Sequence, residues 1–285
     1  MSIAHVTVLG TGVLGIQIAF QTAYKGFPVV AYDVGSHAIE RARAAVEVLA
    51  ARYLKDVKDA DDAALRAARS RLTFTTDLAT AARAADLIIE AIPERLDLKR
   101  EVLADLGQLA PPESIFATNS STLLPSSMAA STGRPDRFLA LHFANEIWIH
   151  NIAEVMGHPG TSPEVFKEVV AFARAIGMEP IELHKEKAGY VLNSLLVPFL
   201  QAGAALLVDG IAQPDAIDKT WRIATGAPMG PFQIYDVVGL ETAYNIASAG
   251  DEKQKAFARM LKETYIDKGH LGVATGKGFY EYQTK

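Results

Sequence analysis

The run Gly10-Thr11-Gly12-Val13-Leu14-Gly15 constrains this chain more than any other segment. It follows Val6-Thr7-Val8-Leu9, an aliphatic run with strand character, and opens residues 13–25, whose apolar spacing predicts a helix. Pro28 to Asp33 reads as a second strand ending in an acid, with Gly26 at the preceding helix terminus. Strand, GxGxxG, helix and a second strand ending in an acidic residue is the context that a dinucleotide fingerprint requires. Each position has its own physical role. Gly10 permits the tight turn, Gly12 lets backbone approach a pyrophosphate, and Gly15 allows close helix–strand packing. The amides of Val13, Leu14 and Gly15 open the helix and offer N–H donors and a partial positive charge to phosphate. Asp33 can accept from both ribose hydroxyls and would repel the extra phosphate of NADP, so NAD is the expected cofactor. A glycine turn in another α/β fold and an FAD site are the alternatives at this point.

Further strand runs follow at Leu72–Thr75, Leu87–Ile92, Ser114–Thr118, Phe138–Phe143, Ile152–Met156 and Pro180–Leu183. Helix-forming stretches separate most of them, including residues 37–70 as one long helix or a helical pair and an alanine-rich helix around 60–85. This alternation predicts an α/β Rossmann domain, a doubly wound and mostly parallel sheet covered on both faces. After about Lys185 strand runs are scarce, and helical segments are punctuated by Gly210, Pro214, Gly226, Pro228, Gly230-Pro231 and Gly250. The chain therefore reads as an NAD-binding Rossmann domain over 1–185 and an all-α C-terminal domain over 186–285. The total of 285 residues suits two domains.

Composition removes several function classes. Apolar residues make up 49%, which excludes disorder as the main state. A net charge of −5 argues against nucleic-acid binding. With no cysteine, thiol nucleophiles, thiolate metal sites and disulfides are impossible. Met1-Ser2-Ile3-Ala4-His5 runs directly into the first strand and leaves no room for a signal peptide, and no apolar run reaches the ~18 residues of a membrane span. A cytoplasmic protein, or the matrix form of one, is expected.

Four polar residues stand where an open α/β sheet gathers ligands, beyond the carboxyl ends of its strands. Ser121 lies in Thr118-Asn119-Ser120-Ser121-Thr122, His142 closes Phe138-Leu139-Ala140-Leu141, and Glu154 lies in Ile152-Ala153-Glu154-Val155-Met156. Asn193 comes early in the first helix of the second domain. A His–Glu pair suits alcohol oxidation, because hydride leaves a carbinol carbon only as a base takes the hydroxyl proton. The carboxylate would fix the histidine tautomer, while Ser121 and Asn193 would bond the substrate oxygen or the histidine. The plainer readings are a structural histidine, a serine that caps a turn, and a buried glutamate that needs some partner.

The ordered motifs resemble those of the L-3-hydroxyacyl-CoA dehydrogenases, which include the 3-hydroxybutyryl-CoA dehydrogenases. They are Gly10 to Gly15, Glu90-Ala91-Ile92-Pro93-Glu94, Asn119-Ser120-Ser121-Thr122-Leu123, His142-Phe143-Ala144-Asn145, Glu154-Val155, Val191-Leu192-Asn193, Pro228-Met229-Gly230-Pro231-Phe232 with Asp236 and Gly239-Leu240, and Gly276-Lys277-Gly278-Phe279-Tyr280. The resemblance spans essentially the whole chain. It implies His142 as general acid/base, Glu154 as its partner, and Ser121 and Asn193 as supports. It also implies Glu94 and Lys99 near the nicotinamide, with Asn119 among the cofactor-binding residues, and dimerisation largely through the helical domain. The chain departs from the family at four places. Glu146 stands where proline is usual, Ala188-Gly189-Tyr190 replaces Pro-Gly-Phe, Ser194 replaces a common arginine, and Ile147–Asn151 lacks a usual lysine.

A coenzyme A substrate needs local positive charge on an acidic protein. Arg52, Lys55 and Lys58 are the candidates by helical spacing, against the reading of a solvated basic stripe. No histidine has a metal-ligand spacing, and no metal is expected. Trp148 and Trp221 read as packing residues, with Trp148 near enough to His142 in sequence to line its pocket. The leading expectation is NAD-dependent interconversion of a short L-3-hydroxyacyl-CoA and its 3-oxo form by a homodimer with no nucleic-acid or membrane partner. The alternatives are the same hydride chemistry on a hydroxy acid or hydroxy-amine without CoA, as in carnitine and gulonate dehydrogenases, and a non-catalytic NAD-binding protein. A 6-phosphogluconate-type mechanism needs a lysine where this chain has Gly189.

Overall fold

The computed structural model describes residues 3–282. Met1 and Ser2, on which the reading of the N-terminal edge partly rests, lie outside the described residues. The chain divides into two compact units, Met1–Val191 and Leu192–Lys285.

The first unit is built on β1 (Val6–Leu9), α1 (Val13–Tyr24), β2 (Val29–Tyr32), α2 (Ser36–Asp56), α3 (Asp62–Arg71), β3 (Leu72–Thr75), α4 (Leu78–Ala82), β4 (Leu87–Glu90), α5 (Leu96–Leu109), β5 (Ile115–Thr118), β6 (Phe138–Phe143), β7 (Ile152–Met156), α6 (Pro163–Ala175) and β8 (Glu179–Leu183). The eight strands form one sheet in the order β3-β2-β1-β4-β5-β6-β7-β8. Strands β1, β4 and β5 are buried at every position, as expected for parallel strands covered on both faces. The order reverses at β1, between β2 and β4, and a doubly wound sheet opens its ligand crevice at such a point. All neighbours pair in parallel except β6 and β7, which run antiparallel.

Two apolar clusters lie against this sheet. One gathers α1, α2, α3 and α6 around residues such as Ile18, Phe20, Tyr53 and Val169. The other brings Ile88, Leu103, Leu106, Phe116 and Phe138 together. Strand β4 feeds both, with Leu87 and Ile89 in the first cluster and Ile88 in the second, as the alternation of side chains along a strand requires. Segment 37–70 is a helical pair, because Val57 turns extended and Asp61 caps α3 by accepting from the Ala64 amide. The alanine-rich stretch 60–85 is not one helix. The edge strand β3 interrupts it, pairing with β2 through Leu72 to Thr75.

The second unit contains α7 (Leu192–Val208), α8 (Pro214–Thr225), α9 (Pro231–Val238), α10 (Leu240–Ser248) and α11 (Glu252–Thr264). Pro214 and Pro231 open their helices at the first turn, where the missing N–H costs nothing. Two buried acids tie this unit together. Asp218 accepts from the Phe232 and Gln233 amides and the Tyr280 hydroxyl, while Asp236 accepts from the Phe279 and Tyr280 amides and the Tyr282 hydroxyl. The two late sequence motifs therefore meet around these carboxylates. Among the described residues no helix is long and apolar enough to cross a membrane.

Candidate active site

The nucleotide fingerprint forms a turn between β1 and α1. Gly10 has φ +87°, and a Cβ there would lie 2.6 Å from the Ala91 carbonyl oxygen. A Cβ on Gly15 would lie 1.9 Å from the Gly10 carbonyl oxygen, so α1 can close on β1 only with glycine. At Gly12 the same test meets no atom within 4 Å, leaving a backbone open to a close-approaching group. No side chain caps the α1 N-terminus. Asp33 accepts from the Thr11 amide at 2.8 Å and the Thr11 hydroxyl at 2.7 Å through Oδ2, and from the Val34 amide at 2.9 Å through Oδ1. It thus fastens the glycine turn to the end of β2. A glycine cradle, open helix amides and an acid at the second strand fit a dinucleotide.

Beyond β4 and β5 lies a buried polar cluster. Glu90 accepts from Lys99 Nζ at 2.5 Å, the Ile92 amide at 2.8 Å and the Thr118 hydroxyl at 2.7 Å. Lys99 also donates to the Ile92 carbonyl and pairs with Glu94 Oε2 at 3.4 Å. Its ammonium group thus faces three protein acceptors. Glu94 accepts from the Ser120 hydroxyl at 2.5 Å and from the Thr122 amide and hydroxyl. Burial pushes the Glu94 carboxyl up, but these bonds and Lys99 overcome it and hold the group below the ordinary glutamate range. Asn119 Oδ1 accepts from the Phe143 amide at 3.0 Å and joins the end of β5 to β6.

The antiparallel register of β6 and β7 sets His142 directly opposite Glu154. Facing residues of such a pair share one side of the sheet. His142 Nδ1 lies 3.0 Å from Glu154 Oε2, and both residues are buried. A carboxylate only accepts, so the proton of the neutral ring sits on Nδ1 and Nε2 keeps its lone pair. Ser121 Oγ lies 3.0 Å from that Nε2. Ser121, His142 and Glu154 therefore form one hydrogen-bonded chain. Asn193, the fourth residue picked out from the sequence, belongs to the second unit, in the first turn of α7.

Other expectations are corrected. Arg52 is not free for a ligand. It pairs with Glu146, lies 3.9 Å from Asp56, and sits over the Trp148 ring at 4.7 Å. Arg52, Lys55 and Lys58 do not share a helix face either, since α2 ends at Asp56. Trp148 packs on Tyr53 and donates to Asp56 instead of facing His142. The sequence reading noted Tyr190 only as a departure, yet its ring lies flat on the His142 imidazole, with centroids 4.4 Å apart. Its position directly after Gly189 was the available signal.

Known proteins are similar to this chain along its whole length. The family model for the 3-hydroxyacyl-CoA dehydrogenase NAD-binding domain matches residues 5–187, and that for the C-terminal domain matches 189–282. The human mitochondrial hydroxyacyl-coenzyme A dehydrogenase is 33% identical over 290 residues, covering 99% of this chain and 92% of the human one. The solved (S)-3-hydroxybutyryl-CoA dehydrogenase of Ralstonia eutropha is 29% identical with a TM-score of 0.83, covering 99% of this chain and 100% of that one. A solved diketoreductase, described as a dual catalyst acting on dicarbonyl compounds, is 63% identical with a TM-score of 0.96, covering 99% and 100% of the two chains. With its fingerprint, its buried acids and both halves matched, the chain belongs to the 3-hydroxyacyl-CoA dehydrogenase family and is an NAD-dependent oxidoreductase.

Proposed function

We propose that this enzyme interconverts a short L-3-hydroxyacyl-CoA and the corresponding 3-oxoacyl-CoA. The observation that carries the reading is the Ser121–His142–Glu154 chain, with distances of 3.0 Å on both sides of the imidazole. NAD, when bound, supplies the hydride acceptor or donor. His142 Nε2 takes the proton of the 3-hydroxyl during oxidation and returns it to the oxygen during reduction. Glu154 stabilises the imidazolium that forms, because its charge is already buried beside Nδ1. Ser121 hydrogen-bonds the reacting oxygen as the proton moves, and Asn193 is assigned the same supporting role. Gly10, Gly12, Val13, Leu14 and Gly15 hold the pyrophosphate and Asp33 the ribose. Glu94, set by Lys99, and Asn119 serve the nicotinamide side. In this reading 1–185 binds the nucleotide and 186–285 binds substrate and joins two copies.

A second reading keeps the chemistry and removes CoA. A 3-oxoacyl thioester is itself a 1,3-dicarbonyl compound, so the site chemistry alone does not demand the nucleotide tail. Two observations favour this reading: the 63% likeness to a diketoreductase, and the pairing of Arg52 with Glu146, which removes a cation from the basic candidates for CoA. The deciding experiment compares NADH oxidation with acetoacetyl-CoA, acetoacetate and an acetoacetate ester. A higher kcat/KM on the thioester is expected. Turnover of the ester or free acid with none of the thioester selects the second reading, and no turnover of any of them rejects both.

A further inference from the structure

Residues Gly189 to Val191 touch all three members of the Ser121–His142–Glu154 chain. The Gly189 amide donates to the Ser121 carbonyl at 3.1 Å, and the Val191 amide donates to Glu154 Oε1 at 2.8 Å. Between them, the Tyr190 hydroxyl donates to the Ser120 carbonyl at 2.8 Å. Its ring stacks on the His142 imidazole with an interplanar angle of 8°. Tyr190 is fully buried, packed with Ala140 and Met156, the β6 and β7 residues near the pair. It is also one of two non-glycine residues with positive φ among the described residues, at +49°. A left-handed backbone at a bulky aromatic residue persists only where surrounding contacts over-determine it.

We propose that Tyr190 is a positioning residue for proton transfer, and that its ring face holds the imidazole plane and favours its charged form. The proposal rests on His142 acting as the acid/base. One carboxylate contact at Nδ1 leaves the imidazole free to tilt about its own bonds, because the terminal torsion of histidine is broad. A parallel ring at van der Waals distance removes that tilt, so Nε2 stays aimed along the line to Ser121. The negative face of an aromatic ring also attracts a cation lying over it. The charged groups around the stack are Glu154 beside the imidazole and Glu94, Glu90 and Glu186 around the phenol. Burial, with these carboxylates adding to it, drives the Tyr190 phenol far above its ordinary range, so it stays a neutral donor to Ser120.

The test uses the full-length enzyme with NADH and acetoacetyl-CoA or the ester, whichever it turns over. Tyr190→Met removes the ring and puts a flexible apolar side chain in its place. It is expected to lower kcat about tenfold to a hundredfold, the scale of a misplaced catalytic group, with NADH affinity held to within about twofold. Tyr190→Phe keeps the ring and is expected to bring kcat back to within about threefold of the parent. Pentafluorophenylalanine at position 190 keeps ring shape but reverses the charge of its face. The alkaline limb of kcat/KM, where His142 loses the proton it must donate in the reduction, should then move to lower pH than in Tyr190→Phe, by about half a unit or more. Should Tyr190→Met not fold, the comparison of the two ring variants decides alone. Coincident pH profiles for those two, or a Tyr190→Met enzyme with kcat within about twofold of the parent, overturn the proposal. His142→Gln, run in parallel, is expected to lose about two to four orders of magnitude in kcat. If it does not, the acid/base reading itself fails; if it does while Tyr190→Met stays active, only the role of Tyr190 falls.

Discussion

Asp33 shows how much a single side chain carries here. The sequence places it at the end of the second strand, and the structure adds that its two oxygens already fasten Thr11 and Val34. Removing the whole carboxylate would therefore loosen the glycine turn as well as the proposed ribose contact. Asp33→Asn keeps an acceptor oxygen and deletes the charge, so it isolates the electrostatic effect. The ratio of kcat/KM for NADH over NADPH is expected to fall about tenfold or more, since like-charge juxtaposition costs several kcal/mol. An unchanged ratio, measured by steady-state kinetics with each cofactor, would remove Asp33 from cofactor choice. Glu146 teaches the opposite lesson. Its replacement of a usual proline stands out in the sequence, but its pairing with Arg52 and the hydrogen bond its backbone amide donates to Gln17 Oε1 are long-range facts. No local pattern announces them.

Strand ends are where this fold concentrates its chemistry, and the element between β4 and β5 has a cost attached. Glu90 and Lys99 are both about 1% exposed at the side chain, and each charge is tolerable because the other is 2.5 Å away and hydrogen bonds complete both sets of partners. Breaking such a pair leaves an uncompensated buried charge. Lys99→Met is expected to destabilise the first unit by about 3–5 kcal/mol, read as a lowered urea midpoint. Adding Glu90→Gln should recover much of that loss, because the amide oxygen can still accept from Ile92 or Thr118. A single variant as stable as the parent would show that the pair contributes little. Most strands were legible as aliphatic runs, and α1 as a helix from its apolar spacing. Leu72 to Thr75 was legible as a strand, but the helix read over 60–85 ran through it, because alanine favours helix while these four residues gain more by completing the sheet edge beside β2.

Two copies of the chain are expected to associate through the helical unit. That unit carries an apolar groove of about 390 Å³ lined by Pro198, Ala205, Tyr235, Val238, Ile246 and Phe257. Val238 and Ile246 remain 40% and 55% exposed within the single chain. Exposed apolar side chains at the rim of a groove suit an association face. Sedimentation velocity is expected to give twice the mass of one chain, and Ile246→Glu to shift the species toward monomer. A parent enzyme that sediments as a monomer at micromolar concentration would remove the dimer from the proposed function.

The sequence by itself determined the nucleotide fold and the cofactor class, and it picked out the side chains proposed to react. Those rest on local rules: a glycine turn that only glycine can make, strand and helix periodicity, and residue types suited to proton transfer. Only the tertiary structure decided their arrangement. The antiparallel register of β6 and β7 put Glu154 against His142, the turn after β5 brought Ser121 to the other ring nitrogen, and the chain from Gly189 to Val191 closed over them. Sequence patterns report which face a residue takes within its own element. Which residue of another element comes to lie opposite is fixed by strand pairing and packing across the whole unit.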